Sequence, residues 1–362
     1  MKKFIGFEHG MGVGGWLTNY KRFNVLPRDK WQDLTIGDIE HFESYITESD
    51  VRYISELGMD HIRLGFDQIV IEKEPYVYRE DILYLIDNFI SDCKKYRLNI
   101  VLNLHKAIGN YCDIEENAQL LDNDELQNRF IALWVYLEKR YSDNTDVAFE
   151  LLNEVRDVDP QKWNRLASRT ITEIRRLNKS RKLIVGSTAW NSVKTLKELQ
   201  IFDDENVIYT FHMYDPYAFT HQRSVLQPTT LYYNRIMPYP SDIERYRDYQ
   251  STVKNKQNSY PKHDRMDINY IREALMPAVE FINENPDKIL WCGEFGTIRH
   301  ANIVWRENWM ADVITVFKEN GIPYCVWNYL STPNDGNRFS LVDDDKRQIL
   351  SPRMAQIIKG NL

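Results

Sequence analysis

The sequence has no long apolar run. No stretch approaches the roughly 18 consecutive apolar residues that a membrane-spanning helix requires. Lys2 and Lys3 give the N-terminus the basic start of a signal peptide, but Glu8 and His9 follow before an apolar region forms. We therefore expect a soluble chain with no membrane partner. It would be cytoplasmic, or secreted if an upstream leader has been removed.

Cysteine is scarce, with four in 362 residues. Cys93, Cys112, Cys292 and Cys325 form no Cys-x-x-Cys pair, and none has a histidine nearby at zinc-ligand spacing. This pattern favours free thiols and predicts no structural metal. An excess of basic residues is also absent, since 46 Lys and Arg stand against 53 Asp and Glu for a net charge of −7. The acidic balance argues mildly against nucleic acid as a partner.

Aromatic residues, in contrast, are plentiful. They make up 13% of the chain, with 22 Tyr and 9 Trp. Amphipathic aromatic rings suit flat, hydroxylated ligands such as sugars, and they also suit a large core. Many of them fall between residues 214 and 267, where neither helical nor strand periodicity holds. We expect a long loop there that folds over one face of the protein.

Strand-like and helix-like segments alternate along the rest of the chain. Strands are predicted near 6–12, 61–66, 99–104, 147–155, 182–186, 207–211, 288–292 and 324–328. Helices are predicted at 48–57, 81–97, 125–141, 160–177, 268–285, 303–320 and 352–359. Eight strands alternating with helices predict a (β/α)8 TIM barrel with a long aromatic-rich insertion after strand six, forming one domain over 1–362.

An open nucleotide-binding sheet is the competing fold. It would normally carry Gly-x-Gly-x-x-Gly after the first strand. The cluster Gly10, Gly12, Gly14 and Gly15 has a different order, so close backbone packing at a barrel opening explains it better. No cofactor is therefore expected.

Polar and aromatic residues lie at the ends of the predicted strands, where α/β barrels keep their active sites. They are Arg63, His105, Asn153, Glu154, Trp190, His212, Tyr214, Glu294 and Trp327. Paired carboxylates among aromatic and amide groups are typical of glycoside hydrolysis, which needs one protonated and one ionised carboxyl at the same pH. Arg63 and Tyr214 are the candidates for keeping Glu294 ionised, which leaves Glu154 as the acid.

These motifs resemble glycoside hydrolase family 5, the cellulase family of retaining (β/α)8 enzymes. The similarity covers essentially the whole chain and is greatest to the single-domain clostridial cellulase C branch. The motifs are Gly14-Gly15-Trp16, His61-Ile-Arg63, Phe149-Glu-Leu-Leu-Asn-Glu154, Phe211-His-Met-Tyr214, Cys292-Gly-Glu-Phe-Gly296 and Val326-Trp-Asn-Tyr329.

The resemblance implies a role for each matching residue. Glu294 resembles the nucleophile and Glu154 the acid/base. Arg63 resembles the arginine that supports the nucleophile, and Asn153 the asparagine that binds the sugar 2-hydroxyl. His105, His212 and Tyr214 resemble the active-site histidines and tyrosine, and Trp327 the platform under the cleaved sugar.

The residue after Glu154 and the roles of two tryptophans do not follow from the resemblance. Val155 follows the acid/base where the family often has Pro. Trp16 and Trp190 are candidates for substrate contact, but they could equally be packing residues. We expect a monomeric endo-β-1,4-glucanase that acts on cellulosic and mixed-linkage β-glucans. The alternatives are a mannanase, a xyloglucanase or an exo-acting glucosidase, with a non-catalytic sugar-binding barrel and a metal-dependent hydrolase less well supported.

Overall fold

A computed structural model describes residues 2–18, 33–111, 119–225, 227–254, 264–332 and 338–360. Its centre is a closed barrel of parallel strands, which are numbered β1 to β8 in chain order. They are β1 His9–Leu17, β2 His61–Asp67, β3 Asn99–Lys106, β4 Val147–Glu150, β5 Leu183–Gly186, β6 Val207–Met213, β7 Ile289–Phe295 and β8 Tyr324–Val326. Pairing of His9 with Tyr324 closes the ring between β1 and β8.

Helices surround the barrel and follow the strands along the chain. The longer ones are Ile36–Ser44, Glu48–Glu56, Glu80–Lys95, Asp124–Arg140, Pro160–Leu177, Met276–Glu284 and Ile303–Glu319. Shorter helices are Gln68–Ile71, Ile268–Ala274 and Pro352–Ile358. Among the described residues, no helix is both long enough and apolar enough to cross a bilayer. The (β/α)8 prediction is confirmed.

Apolar side chains fill the N-terminal half of the barrel. Phe4 and Phe7 stack with their ring centroids 4.4 Å apart, and Phe4 meets Trp291 edge to face at 6.2 Å. They join a buried cluster with Val101, whereas its neighbours Ile100 and Leu102 belong to the larger cluster that includes residues of the surrounding helices. This alternation is the two-residue period of a strand. This lower interior is largely apolar, with buried His61 packed against Phe7 and Trp291.

The insertion after β6 is more ordered than the predicted loop. It contains helices Tyr217–Thr220, Pro228–Tyr233 and Glu244–Val253, and Ser241–Asp242 pairs with Arg265–Met266. Tyr239, Tyr246 and Tyr249 are buried within it, so many of its aromatics pack internally.

Several predicted boundaries differ from the structure. The first strand starts at His9 instead of Gly6. The helix predicted over 268–285 is two helices that meet at Leu275. Pro277 lies in the first turn of the second helix, where its missing N–H costs no helical hydrogen bond. Cys93, Cys292 and Cys325 are free and buried, whereas Cys112 lies outside the described residues.

Candidate active site

Two glutamates meet at the C-terminal mouth of the barrel. Glu294 lies on β7 and is only 3% exposed. Glu154 lies just beyond β4 with a backbone φ of 44°, and its side chain is 21% exposed. One carboxylate oxygen from each glutamate and one ring nitrogen of His212 lie within 4.8 Å of one another. A positive φ is uncommon outside glycine, and such residues cluster at active sites.

A fully buried arginine connects β7, which carries Glu294, with β4 and the segment after it, which carries Glu154. Arg63 on β2 donates from Nη1 to Oε1 of Glu294 at 2.5 Å. Its Nε and Nη2 donate to the two carboxylate oxygens of Glu150 at 2.6 and 2.8 Å. Nη2 also donates to Oδ1 of Asn153 at 2.7 Å. One guanidinium therefore fixes the positions of Glu294, Glu150 and the residue before Glu154.

The other oxygen of Glu294 accepts a hydrogen bond from the Tyr214 hydroxyl at 2.8 Å. Burial raises the pKa of Glu294, while His212, Arg63 and the Tyr214 hydroxyl pull that pKa down and Glu154 raises it further. The net direction is upward. Arg63 and Tyr214 thus act in the direction expected from the sequence, but they offset the effect of burial only in part. Burial, followed by the charge of Glu294, holds the pKa of Tyr214 far above its usual range, so its hydroxyl stays a donor.

His212 lies between the two acids. Its Nδ1 is 2.9 Å from Oε1 of Glu154 and 3.5 Å from Oε2 of Glu294. Burial lowers the pKa of His212 to about 4, against the opposing influence of Glu294. The imidazole is therefore neutral near pH 7 and carries a single N–H.

Trp327 and His105 form an aromatic surface beside the acids. Their ring centroids are 5.4 Å apart and their planes differ by 6°. The Arg63 guanidinium carbon lies 5.9 Å from the Trp327 ring centroid. The Trp327 indole packs against Gly12 and Gly14. A Cβ at Gly14 would lie 2.4 Å from the indole, and one at Gly12 would lie 2.7 Å from it, so glycine is needed at both residues. The close packing proposed for the glycine cluster is present at these two residues.

Comparison with known proteins decides the family. The profile of the cellulase family (glycosyl hydrolase family 5) matches residues 24–332. Endoglucanase C of Acetivibrio thermocellus is 35% identical, over 95% of this chain and 96% of the relative. The chain belongs to glycoside hydrolase family 5. It is therefore a glycoside hydrolase.

The chain is also similar to one further relative and to one solved structure. Cellodextrinase A of Ruminococcus flavefaciens is 29% identical, over 89% of this chain and 85% of the relative. An endoglucanase structure from Thermotoga maritima has a TM-score of 0.73 at 22% identity, over 98% of this chain and 97% of that one. At that identity the structural likeness concerns the fold.

The two tryptophans that the sequence leaves open lie in different environments. Trp16 is 3% exposed, its Nε1 donates to the Phe42 carbonyl oxygen at 2.6 Å, and its ring lies 5.4 Å from that of Phe89. It is therefore packed in the core, as one of its two sequence-based interpretations expects. Trp190, in contrast, is 42% exposed, and its backbone N–H donates to the Val155 carbonyl oxygen at 2.9 Å. The side chain of Trp190 is thus accessible to solvent and to a ligand.

The buried Val155 therefore joins the turn at Trp190 to the segment that carries Glu154. A proline at 155 would keep the same carbonyl acceptor, because only its N–H is lost. The hydrogen bond to Trp190 accordingly does not depend on which of the two residues occupies this position.

One buried residue of this site was missed from the sequence. Glu150 was taken for part of an apolar strand, although a charge inside such a strand was a usable signal, because an acid is almost never buried without a partner. Asn191 follows Trp190 after strand five, where the sequence places polar residues of the site, and its Nδ2 lies 3.2 Å from Nε2 of His212. Nothing in its local sequence indicates that contact.

Proposed function

We propose that this family 5 enzyme is a retaining endo-β-1,4-glucanase that acts on cellulosic and mixed-linkage β-glucans. The observation that carries the proposal is the close approach of Glu154 and Glu294, whose nearer oxygens lie within 4.8 Å of each other. Retaining glycosidases hold their two carboxyl groups about 5–5.5 Å apart, whereas inverting enzymes leave room for a water molecule between them.

In the first step, Glu294 attacks the anomeric carbon as the carboxylate that Arg63 and Tyr214 hydrogen-bond. The glycosidic C–O bond breaks, and the leaving oxygen takes the proton of Glu154. In the second step, Glu154 removes a proton from water, whose oxygen attacks the same carbon and releases Glu294. Each step inverts the anomeric carbon, so the product keeps the β configuration.

The neighbouring residues fit this chemistry. Asn153, held by Arg63 next to Glu154, is suited to bind the sugar 2-hydroxyl. Trp327 offers a flat apolar surface for the ring of the cleaved sugar, with His105 stacked behind it. Trp190 is exposed near the acid/base and is suited to the sugar on the leaving side. Such aromatic surfaces recognise the apolar face of a pyranose.

The proposed substrate class also rests on the relatives. The curated relatives include endoglucanase C and cellodextrinase A, and solved structures of similar fold include a Thermotoga maritima enzyme in complex with cellobiose. A structure of that enzyme with mannotriose favours mannan as a second candidate substrate. Initial rates on barley β-glucan, carboxymethyl cellulose, xyloglucan and mannan would separate the candidate substrates. The sizes of the products would separate endo-acting from exo-acting cleavage.

Azide rescue tests the roles of both acids. With an activated β-glucoside or β-cellobioside, Glu294→Ala should lose turnover, and azide should restore it with an α-glycosyl azide as product. Under the same conditions Glu154→Ala should yield a β-glycosyl azide. Near-normal activity of Glu294→Ala, or the same azide anomer from both variants, would overturn the assignment.

Glu138 offers a matched control. It is as buried as Glu294 but pairs with Arg181 at 2.7 Å, on the helix Asp124–Arg140. Glu138→Ala should therefore destabilise the protein without any rescue by azide. Proton NMR of the first products from a β-glucan provides an independent check, because an initial excess of α-anomer would exclude retention.

A further inference from the structure

The buried amide of Asn191 contacts the ring nitrogen of His212 that faces away from the acids. Asn191 Nδ2 lies 3.2 Å from His212 Nε2, and Asn191 is fully buried. Asn191 Oδ1 has no hydrogen-bond partner within the described part of the chain. The amide therefore makes one directed contact, and that contact is with the imidazole.

Several interactions hold this amide in place. Asn191 has a φ of 54°, a left-handed conformation that asparagine tolerates better than most residues. The next residue, Ser192, pairs with His212 in a parallel bridge, and its carbonyl oxygen accepts from the Ser187 hydroxyl at 2.8 Å. Gly186 leaves the necessary space, because a Cβ there would lie 2.4 Å from Asn191 Oδ1.

The opposite side of the imidazole determines which nitrogen carries the proton. Nδ1 faces oxygens of both Glu154 and Glu294. A lone pair on Nδ1 would face oxygen lone pairs wherever those groups are ionised, so the proton of a neutral imidazole belongs on Nδ1. Nε2 is then an acceptor and needs a donor, which the Asn191 Nδ2–H group supplies.

Rotating the Asn191 amide by about 180° would exchange its oxygen and nitrogen and would reverse the preference for a proton on His212 Nδ1. Oδ1 would then face Nε2 and would favour a proton there, either in the other neutral tautomer or in the imidazolium. The charged groups around His212 are Glu154, Glu294, Arg63 and Glu150, and Tyr214 also packs against it. An imidazolium in this setting would hold Glu154 ionised and so prevent it from donating a proton.

We propose that Asn191 is a positioning residue that fixes His212 as the neutral Nδ1–H tautomer and thereby keeps Glu154 able to act as the acid. This role rests on the proposed function of Glu154, but the tautomer itself does not. Within the described ranges, the side-chain hydrogen bond of Asn191 is to His212, so Asn191 acts through the histidine.

Nitrogen-15 NMR of histidine-labelled enzyme tests the tautomer without substrate. Signals of His212 are assigned by their loss in His212→Gln. We expect His212 of the wild-type enzyme to show a protonated Nδ1 and an unprotonated Nε2 at neutral pH. A protonated Nε2 would overturn the proposal, and this result requires no variant at 191.

The variant Asn191→Asp replaces the donor by an acceptor while keeping the shape and the tolerance for positive φ. We expect both nitrogens of His212 to be protonated at neutral pH. The alkaline limb of kcat/KM should move to lower pH, with a loss of about tenfold or more at pH 7. A folded Asn191→Asp enzyme with an unchanged His212 titration would refute the role.

Asn164→Asp is the matched control. Asn164 is a buried asparagine on the helix Pro160–Leu177, where it donates to the Glu198 carbonyl oxygen and accepts from the Gln200 N–H. This variant should leave the His212 spectrum and the pH profile unchanged. A shift as large as that of Asn191→Asp would mean that any buried charge suffices, and would overturn the specific role of Asn191. If instead azide rescue fails while the His212 tautomer is as expected, the proposed function is wrong and the tautomer assignment survives.

Discussion

Glu150 and Arg63 form a fully buried, two-point ion pair beneath the active site, with N–O distances of 2.6 and 2.8 Å. The same guanidinium donates to Glu294, so two carboxylates share one cation. Removing Glu150 would leave Glu294 as the remaining carboxylate partner of Arg63. The ionised form of Glu294 would then be stabilised more strongly, because an opposite charge favours ionisation and a like charge opposes it.

We expect Glu150→Gln to move the acidic limb of the kcat/KM profile to lower pH. Glu150→Ala should also lower the free energy of unfolding by about 3–5 kcal/mol, the usual cost of leaving a buried charge without its partner. Glu138→Gln is the matched control, since Glu138 forms a comparable buried pair with Arg181. Glu138→Gln should destabilise the protein without moving the acidic limb of the kcat/KM profile. If Glu150→Gln and Glu138→Gln moved that limb equally, the shift would be a general effect of destabilisation.

The acidic limb in the unvaried enzyme should lie above the usual glutamate pKa of about 4.3, because burial raises the pKa of Glu294. Activity is lost as the pH falls through this raised pKa and the nucleophile takes up a proton. Tyr214→Phe removes a hydrogen bond to the carboxylate, so the limb should move further up, by up to about one pH unit. The measurement is kcat/KM against pH, and a limb that stays in place would show that this hydroxyl does not stabilise the ionised form.

Gly14→Ala should displace the Trp327 ring, because the added Cβ would lie 2.4 Å from it. We expect a higher KM and lower kcat, with about 1–3 kcal/mol of lost stability, as is typical of overpacking. Gly37→Ala is the control, since its Cβ would meet nothing nearer than Thr35 Oγ1 at 3.9 Å. That variant should keep full activity and gain stability, because alanine favours the helix Ile36–Ser44. An unchanged KM in Gly14→Ala would show that the platform tolerates the shift.

Chelator should leave the activity unchanged. Glu154, His212 and Glu294 do form a donor set that could hold a cation. However, Glu294 already accepts hydrogen bonds from Arg63 and Tyr214, and the Arg63 guanidinium would repel a second positive charge beside it. The test is hydrolysis of a β-glucan after dialysis against EDTA. Loss of activity that Zn²⁺ or Mg²⁺ restores would contradict this expectation.

The strands and most of the strand-end residues were predictable because the strands are short, largely apolar runs with polar residues at or just beyond their ends. What the sequence could not show were contacts that depend on two distant segments. Arg63 and Glu150 are far apart along the chain, so their pairing depends on the packing of β2 and β4 on either side of β3. The environment of Trp16 could not be decided because the register of β1 shifts between Val13 and Leu17. Beyond such an irregularity, the two-residue alternation of side chains no longer predicts which face of the sheet a side chain occupies.

The two tryptophans that sequence alone left undecided should respond differently to substitution. Trp190→Ala removes an exposed ring and should raise KM for cello-oligosaccharides several-fold with little change in the free energy of unfolding. Trp16→Phe removes a buried N–H donor to the Phe42 carbonyl oxygen, so it should cost about 1–3 kcal/mol of stability and leave the KM of the folded enzyme unchanged. Thermal unfolding and initial rates on the same preparations measure both effects. If Trp16→Phe raised KM while Trp190→Ala did not, the assignment of Trp190 to the cleft and of Trp16 to the core would have to be exchanged.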